Sequence, residues 1–457
     1  MAAGQGTRMR SDLPKVLHEV CGRPMVAWPI LAAREAGADR VCVIVSPGSD
    51  LSAALPNGTE TVVQPEPDGT GGALRAAREV IESSETVLVL SGDTPLLGAS
   101  AIAALIEAHR GSGAAATVMT TELDDPGTFG RVIRGADGAV ERIVETKAPG
   151  DASADQLTIR EVNAGTYAFE AAPLADALER LSSDNAQGEY YLPDVLPLIR
   201  ESGGAIAAHL VGDPAVNLGV NDRADLARVS AEARRRILIE HLRAGVTIED
   251  PDATWIDADV ALEPDVTLAP GCSLRGATAV GAGSVIGPHT TLIDVRIGRR
   301  VTVAHSYLIE CEVADDATVG PFAYLRPGAA LAEGAKAGAF VEIKNSRIGA
   351  GAKVPHLSYI GDAEIGEDSN LGASTVTANY DGHQKHRTKI GRNVRSGVDT
   401  TFVAPVEVGD GAYTGAGSVI TEDVPPGALG ISRGEQENVE GFAERKAKES
   451  EKKGKGS

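Results

Sequence analysis

Aromatic residues are scarce in this 457-residue chain: six Phe, eight Tyr and two Trp supply 4% of it. A core with so few rings rests on Val, Ile, Leu and Ala, and suits thin, regular layers. Cysteine is scarcer still. Cys21, Cys42, Cys272 and Cys311 lie far apart with no C-x-x-C pair, which excludes a disulfide framework or a thiolate metal site and favours a reducing cytosol. Positive charge is in deficit too, since 43 Lys and Arg against 64 Asp and Glu leave a net −21. Binding to nucleic acid needs a basic footprint and anionic membranes attract one, so neither partner is expected. A small phosphorylated substrate held by a local basic loop remains compatible. No apolar run reaches the about 18 residues of a membrane span, and the start, MAAGQGTRMR, lacks the apolar stretch of a signal peptide. The expectation is a cytoplasmic protein.

What the chain has in excess is glycine, with 53 residues. The reason lies in its organisation, which divides into two or three domains on length alone. Residues 1–222 read as α/β. Short aliphatic runs recur at Val41–Val45, Val87–Leu90, Thr117–Met119, Arg142–Glu145 and Thr166–Phe169, with amphipathic stretches at Ala99–Arg110 and Leu174–Leu181. That alternation predicts a mostly parallel sheet faced by helices. Residues 223–244 carry no Gly or Pro, and Leu226, Val229, Ala233 and Ile237 share one helical face, so a linker helix is predicted.

From residue 245 to 443 the period becomes six. Ile256, Leu262, Leu268, Leu274, Val280, Ile286 and Leu292 follow without a slip, and the register resumes at Ile297, Val303 and Ile309, then at Val313, Val319, Leu325 and Leu331. Later members are followed by Gly, as in Ile348-Gly349, Ile365-Gly366 and Ile390-Gly391. Neither helical nor strand periodicity gives six; a hexapeptide-repeat parallel β-helix does, with glycine and small residues at its corners. Residues 444–457 are charged and aperiodic, and read as a disordered tail.

Two sets of residues interrupt these patterns with chemistry. At the start, Ala2-Ala3-Gly4-Gln5-Gly6-Thr7-Arg8-Met9 followed by Pro14-Lys15 is a glycine-rich loop with two cations, suited to phosphate oxygens. Asp93 follows the apolar run Val87–Leu90, at a strand's carboxyl end where open α/β sheets place ligands. In the repeat, Arg326, Glu342, Lys344, His356 and Tyr359 stand where small or acidic residues otherwise prevail, and the stretch 377–389 breaks the hexad and must loop out.

The first set, with Gln64, Gly69-Thr70-Gly71-Gly72, Ser91-Gly92-Asp93, Phe129-Gly130-Arg131, Glu145, Asn163 and Asn221, resembles the sugar-1-phosphate nucleotidylyltransferases. The resemblance implies a Rossmann-like domain. Ala2, Ala3, Gly4 and Lys15 would hold the triphosphate, with Arg8 and Lys15 catalytic. Gln64, Gly69 and Thr70 would read the base, Ser91 and Gly92 would line the site, and Gly130, Glu145 and Asn163 would contact the sugar. Asp93 and Asn221 would hold Mg²⁺. Relatives carry an apolar strand ahead of the Ala-Ala-Gly loop, whereas this chain starts at Met1, so the expectation is a domain lacking its first strand.

Both sets in this order resemble the bifunctional bacterial N-acetylglucosamine-1-phosphate uridylyltransferases/glucosamine-1-phosphate acetyltransferases. This implies a left-handed β-helix, a homotrimer and an acetyl-CoA site between subunits. Arg326, Lys344, Tyr359 and Asn370 would bind glucosamine phosphate. His356 would be the general base, oriented by Glu342, because imidazole suits proton transfer near neutral pH. Ala373, Asn379, Tyr380, Val398, Ala416 and Arg433 would hold acetyl-CoA. Val398 stands where relatives carry Ser, and the missing hydroxyl costs about 1 kcal/mol of cofactor binding. The implied function is acetylation of glucosamine-1-phosphate followed by uridylyl transfer from UTP, giving UDP-N-acetylglucosamine for cell-envelope synthesis. Three alternatives remain at this point. One is a nucleotidylyltransferase with a purely structural β-helix. Another is a chain active only in acetyl transfer because of its start. The third is a non-catalytic trimeric scaffold.

Overall fold

The computed structural model describes the chain apart from Gln5, Asp137, residues 147–150, 185–187 and 455–457. It divides into two compact units: Met1–Glu240 with Ile256–Asp259, and His241–Trp255 with Val260–Ser457.

The first unit is an α/β layer structure, but its sheet is mixed rather than mostly parallel. In order across the sheet lie Ile206–Leu210, Ala116–Glu122, Glu161–Glu170, Arg131–Arg134 and Val140–Val144. Only the first pairing is parallel; Glu161–Glu170 runs antiparallel to Ala116–Glu122, to Arg131–Arg134 and to Thr86–Val89. Aliphatic spacing predicts strands and not their direction. Here the direction is set by a short hairpin, Arg131–Arg134 to Val140–Val144, that needs no helical crossover. A separate parallel pair joins Cys42–Val45 to Glu60–Val63. Met1 and Ala2 lie between the pieces: Ala2 N donates to Ile44 O at 2.8 Å, the Met1 amine to Leu90 O at 2.8 Å, and Gly92 N to Met1 O at 2.8 Å. Helices Thr70–Ala76, Ala171–Arg180 and Val195–Glu201 bury Leu74, Leu174, Leu178 and Leu196 against Phe169 and Val118, while Ala99–Ser112 packs Ile102 and Leu105 on Met119. The predicted linker helix is present as Arg223–Arg243, with Val229, Ala233, Ile237 and Leu238 buried.

The second unit is a parallel β-helix whose strands stack into three ladders. One face runs from Thr247–Ile248 to Lys353–His356, a second includes Tyr324–Leu325, Glu342–Lys344 and Tyr359–Gly361, and a third ends at Val406–Val408. The aliphatic at each sixth position is the inward residue of its short strand, and a second residue two positions earlier is commonly buried at the corner, as Val266 is with Leu268 and Ser284 with Ile286. Leu274, Ile286, Leu292, Val303, Leu325 and Ile343 are all fully buried, and each Leu or Ile hidden this way contributes about 1.5–3 kcal/mol. The register departs from the predicted one at one place. Leu308, not Ile309, is the buried member, paired with Leu292 and Leu325. The turn through His305, in the left-handed region at φ 46°, completes that corner with one residue fewer.

The tail also differs from expectation, since Phe442–Gly454 forms a helix. Its Ala, Glu and Lys residues are strong helix formers, and Lys446 pairs with Glu449 one turn on. The four cysteines are free thiols, and burial pushes Cys272 up to about 11 and Cys311 up to about 12.

Candidate active sites

In the first unit the glycine-rich loop passes Ala2, Ala3 and Gly4 outward from buried to exposed; Gln5 lies outside the described residues. Gly6 adopts φ 62°, and a Cβ there would lie 2.6 Å from Lys15 Cβ. The glycine thus lets the lysine stem cross the loop and place its Nζ 2.5 Å from Asp93 Oδ2. Ser91 Oγ donates to the other Asp93 oxygen at 2.8 Å. Val220 N donates to Asp93 O at 2.9 Å, which seats Asn221 beside it, and Arg8 Nη2 donates to Asn221 Oδ1 at 2.8 Å. Gly92 is equally constrained: a Cβ would meet Met1 O at 2.8 Å. Loop, lysine, aspartate and asparagine therefore converge, as the motifs predict.

The oxygens of Asp93 and Asn221 each face a side-chain cation, Lys15 and Arg8. A hard divalent cation prefers such oxygen donors, so this donor set fits Mg²⁺. No cluster of three or more His, Cys, Asp or Glu with metal-holding geometry occurs among the described residues.

Gln64 is buried and spends its amide donors on Asp68 Oδ1 at 2.8 Å and Gly69 O at 3.0 Å. Thr70 Oγ1 accepts Leu192 N at 3.0 Å, so its hydroxyl braces the facing segment. A Cβ on Gly72 would overlap Asp68, which explains the glycine-rich run after Gly69. On the sugar side, Asn163 N donates to Gly130 O at 2.9 Å, and Asn163 Nδ2 donates to Tyr167 OH at 2.6 Å. Tyr167 is a neighbour the motifs do not mark. Burial, reinforced by the negative charge of Glu145, holds its phenol protonated far above the ordinary pKa.

In the second unit, Tyr324, Glu342 and Tyr359 form one column on the second face. Arg326 Nη1 meets Glu342 Oε1 at 2.8 Å, so the carboxylate serves Arg326 and not His356. Tyr359 OH lies 2.5 Å from where a Gly361 Cβ would sit, so only glycine admits the phenol. Lys344, paired with Gly361, is held beside Lys385. Contact with Lys385, then lost hydration and the charge of Lys385, draws the Lys344 pKa below the ordinary lysine range. Lys385 is the residue that motif reading missed; its only signal is that it lies in the stretch that breaks the hexad.

His356 ends the strand Lys353–His356, exposed at a corner, and that corner continues as a column. Ser374 N donates to His356 O at 3.1 Å, Asp399 N to Ala373 O at 2.7 Å and Gly417 N to Val398 O at 2.9 Å; Arg433 Nη1 donates to Ala416 O at 3.1 Å. The structure thus aligns His356, Ala373, Val398, Ala416 and Arg433 along one edge. Asn370 is not brought to Tyr359: it bridges Lys353 and Arg395 on the first face, at the far end of that face from His356.

A family model for the MobA-like NTP transferase domain matches residues 1–194. The bifunctional protein GlmU of Mycobacterium marinum is 50% identical over 98% of this chain and 92% of its own length. Those of Mycobacterium bovis and Mycolicibacterium vanbaalenii are 49% identical over the same shares. The chain belongs to the family of the bifunctional protein GlmU. It is an enzyme with two transferase activities, a UDP-N-acetylglucosamine diphosphorylase and a glucosamine-1-phosphate N-acetyltransferase. The likeness runs through both units, which weighs against reading either half as inert scaffold.

Proposed function

We propose that the first unit carries out uridylyl transfer and the β-helix acetyl transfer, with the residues above in the following roles. At the acetyl site, Lys344 and Lys385, with Arg326, receive the phosphate of glucosamine-1-phosphate. His356 takes the proton of the amine as its nitrogen attacks the thioester carbonyl of acetyl-CoA. The C–N bond forms, the C–S bond breaks, and CoA leaves as thiolate. The observation that carries this reading is the corner column from His356 to Arg433. It puts a candidate base in line with the backbone edge along which a long, thin cofactor can lie. In this reading the exposed Tyr380, together with Asn379, whose Nδ2 is given to Asp362, also meets the cofactor from the adjoining hairpin.

At the uridylyl site, a phosphate oxygen of N-acetylglucosamine-1-phosphate attacks the α-phosphorus of UTP, and pyrophosphate leaves. Ala2, Ala3 and Gly4 offer backbone to the triphosphate, while Arg8 and Lys15 neutralise charge that grows on the transferring group. Gln64, Gly69 and Thr70 hold the base, and Gly130, Glu145 and Asn163 orient the sugar. Asp93 and Asn221 would hold Mg²⁺, which when bound supplies charge stabilisation at the phosphoryl oxygens.

The protein acts as a cytoplasmic homotrimer in this reading. Two observations favour a second copy at the acetyl site. Asn370 stands on a different face from Tyr359, so a sugar site using both needs two chains. The corner of His356 also bears an exposed apolar column in which the Phe322 and Phe340 rings stack 5.2 Å apart and Leu357 follows. Mixing an Asn370→Ala chain with a His356→Ala chain tests this. Recovery of acetyl transfer in the mixture supports a shared site, and no recovery at any ratio contradicts it.

A further inference from the structure

Lys385 lies beside Lys344 although the two ammonium groups repel, so something must hold it there. It sits in a hairpin, residues 379–386, closed by an antiparallel bridge between Tyr380 and Lys385 and by His386 N donating to Asn379 O at 2.8 Å. Inside the hairpin Asp381 is the hub. One of its oxygens accepts His383 N at 2.7 Å and Gln384 N at 2.6 Å; the other meets His386 Nε2 at 2.8 Å. These amides, led by Gln384, together with His386 hold the Asp381 carboxyl well below the ordinary carboxylate range, so it stays ionised. At the base of the hairpin, Asp362 accepts bonds from Asn345 and Asn379. Burial works to raise the Asp362 pKa, and those bonds with the charges of Lys344 and Lys385 outweigh it. The hairpin is thus tied at its foot by Asp362 and at its neck by Asp381 and His386, with Lys385 between the two ties.

We infer that Asp381 and His386 form a positioning clasp for the acetyl site, holding Lys385 against Lys344 so that the two lysines meet the phosphate of the sugar substrate as a prepared pair. The inference rests on the assignment of Lys344 and Lys385 to the substrate phosphate. Asp381 and His386 touch no reacting atom; they act through Lys385. Releasing the clasp lets the repelled ammonium swing into solvent. The loss falls on sugar phosphate affinity and not on the transfer step.

The test is steady-state acetyl transfer by the full chain carrying Asp381→Asn, His386→Gln or His386→Arg, alone and with Lys385→Met. His386→Gln and Asp381→Asn should each raise KM for glucosamine-1-phosphate about fivefold, the size of a partly exposed charged contact. The kcat and the KM for acetyl-CoA should hardly move. His386→Arg, which keeps an N–H donor against Asp381, should restore the wild-type KM. In the Lys385→Met background His386→Gln should add nothing, a non-additivity that general destabilisation would not produce. An unchanged kcat and an unchanged KM for acetyl-CoA in the same preparations report that the β-helix is folded. If Lys385→Met raises KM and His386→Gln and Asp381→Asn do not, the clasp is wrong. A shift in the KM for acetyl-CoA alone would also overturn it, making the hairpin a cofactor element. If Lys385→Met leaves the sugar phosphate KM unchanged, the phosphate assignment itself fails, and the clasp with it.

Discussion

The two units hold their candidate phosphate-binding cations in different settings. In the sheet unit each cation already has an oxygen: Lys15 is on Asp93 and Arg8 on Asn221. In the β-helix Arg326 is balanced by Glu342, while Lys344 and Lys385 face each other with the Asp362 carboxylate near both. Cations already seated on oxygens suit a triphosphate that arrives with a divalent cation, because the incoming charges can exchange partners. Two facing ammonium groups suit a phosphate monoester, whose arrival relieves their repulsion. If these residues bind the substrates as proposed, an acidic chain handles anions at both sites by local geometry and not by net charge.

The largest effects should separate the units cleanly. His356→Ala should lower acetyl transfer by about 10²–10⁴-fold, as expected for a lost general base, with uridylyl transfer intact. The readout is CoA release beside pyrophosphate release. Lys15→Ala should do the converse, costing about 10²–10³-fold in pyrophosphate release. A smaller effect sharpens the charge contrast. The lowered Lys344 pKa means that its positive charge is lost at lower pH than an ordinary lysine's as pH rises. The KM for glucosamine-1-phosphate should therefore climb on the alkaline side, and in Lys385→Met that climb should move to higher pH. An unmoved profile would place the two lysines apart. In the β-helix core, Leu308→Ala should cost about 2–5 kcal/mol in urea unfolding, and Ile309→Ala clearly less. The reverse order would restore the sixfold register at Ile309. Smallest of all, Cys272 and Cys311 should stay unlabelled by a thiol reagent at pH 8 in the native protein and react in urea, since burial keeps both protonated. Native labelling would mean that the coils open.

Much of this was legible in residue order, for physical reasons that differ between the units. The β-helix repeats one packing problem, so a period of six announces both the fold and its interruptions. Arg326, Lys344, His356 and Tyr359 stand out because every other coil shows what belongs there. The error at Ile309 has the same origin, since two adjacent aliphatics, Leu308 and Ile309, leave the choice to a corner whose length the sequence does not display. In the sheet unit the structure brings together Lys15, Asp93 and Asn221, which the loop motifs single out. Strand direction was not legible, because Thr166–Phe169 has the same aliphatic content whether it runs parallel or antiparallel to its neighbours. Lys385, Asp362 and His386 were invisible for a third reason: their roles come from a hairpin, and a lysine near a histidine in a polar loop carries no pattern. Nor could order alone tell that Glu342 is taken by Arg326, or that Asn370 lies on another face from Tyr359.

The most direct test of a chain with two independent transfer sites is product analysis by mass spectrometry. The wild type, His356→Ala and Lys15→Ala would each be incubated with glucosamine-1-phosphate, acetyl-CoA, UTP and Mg²⁺. The account predicts UDP-N-acetylglucosamine from the wild type, N-acetylglucosamine-1-phosphate accumulating with Lys15→Ala, and unreacted glucosamine-1-phosphate with His356→Ala. Added N-acetylglucosamine-1-phosphate should restore the nucleotide sugar in the last case. Loss of both products in either single variant, with the protein folded, would contradict it.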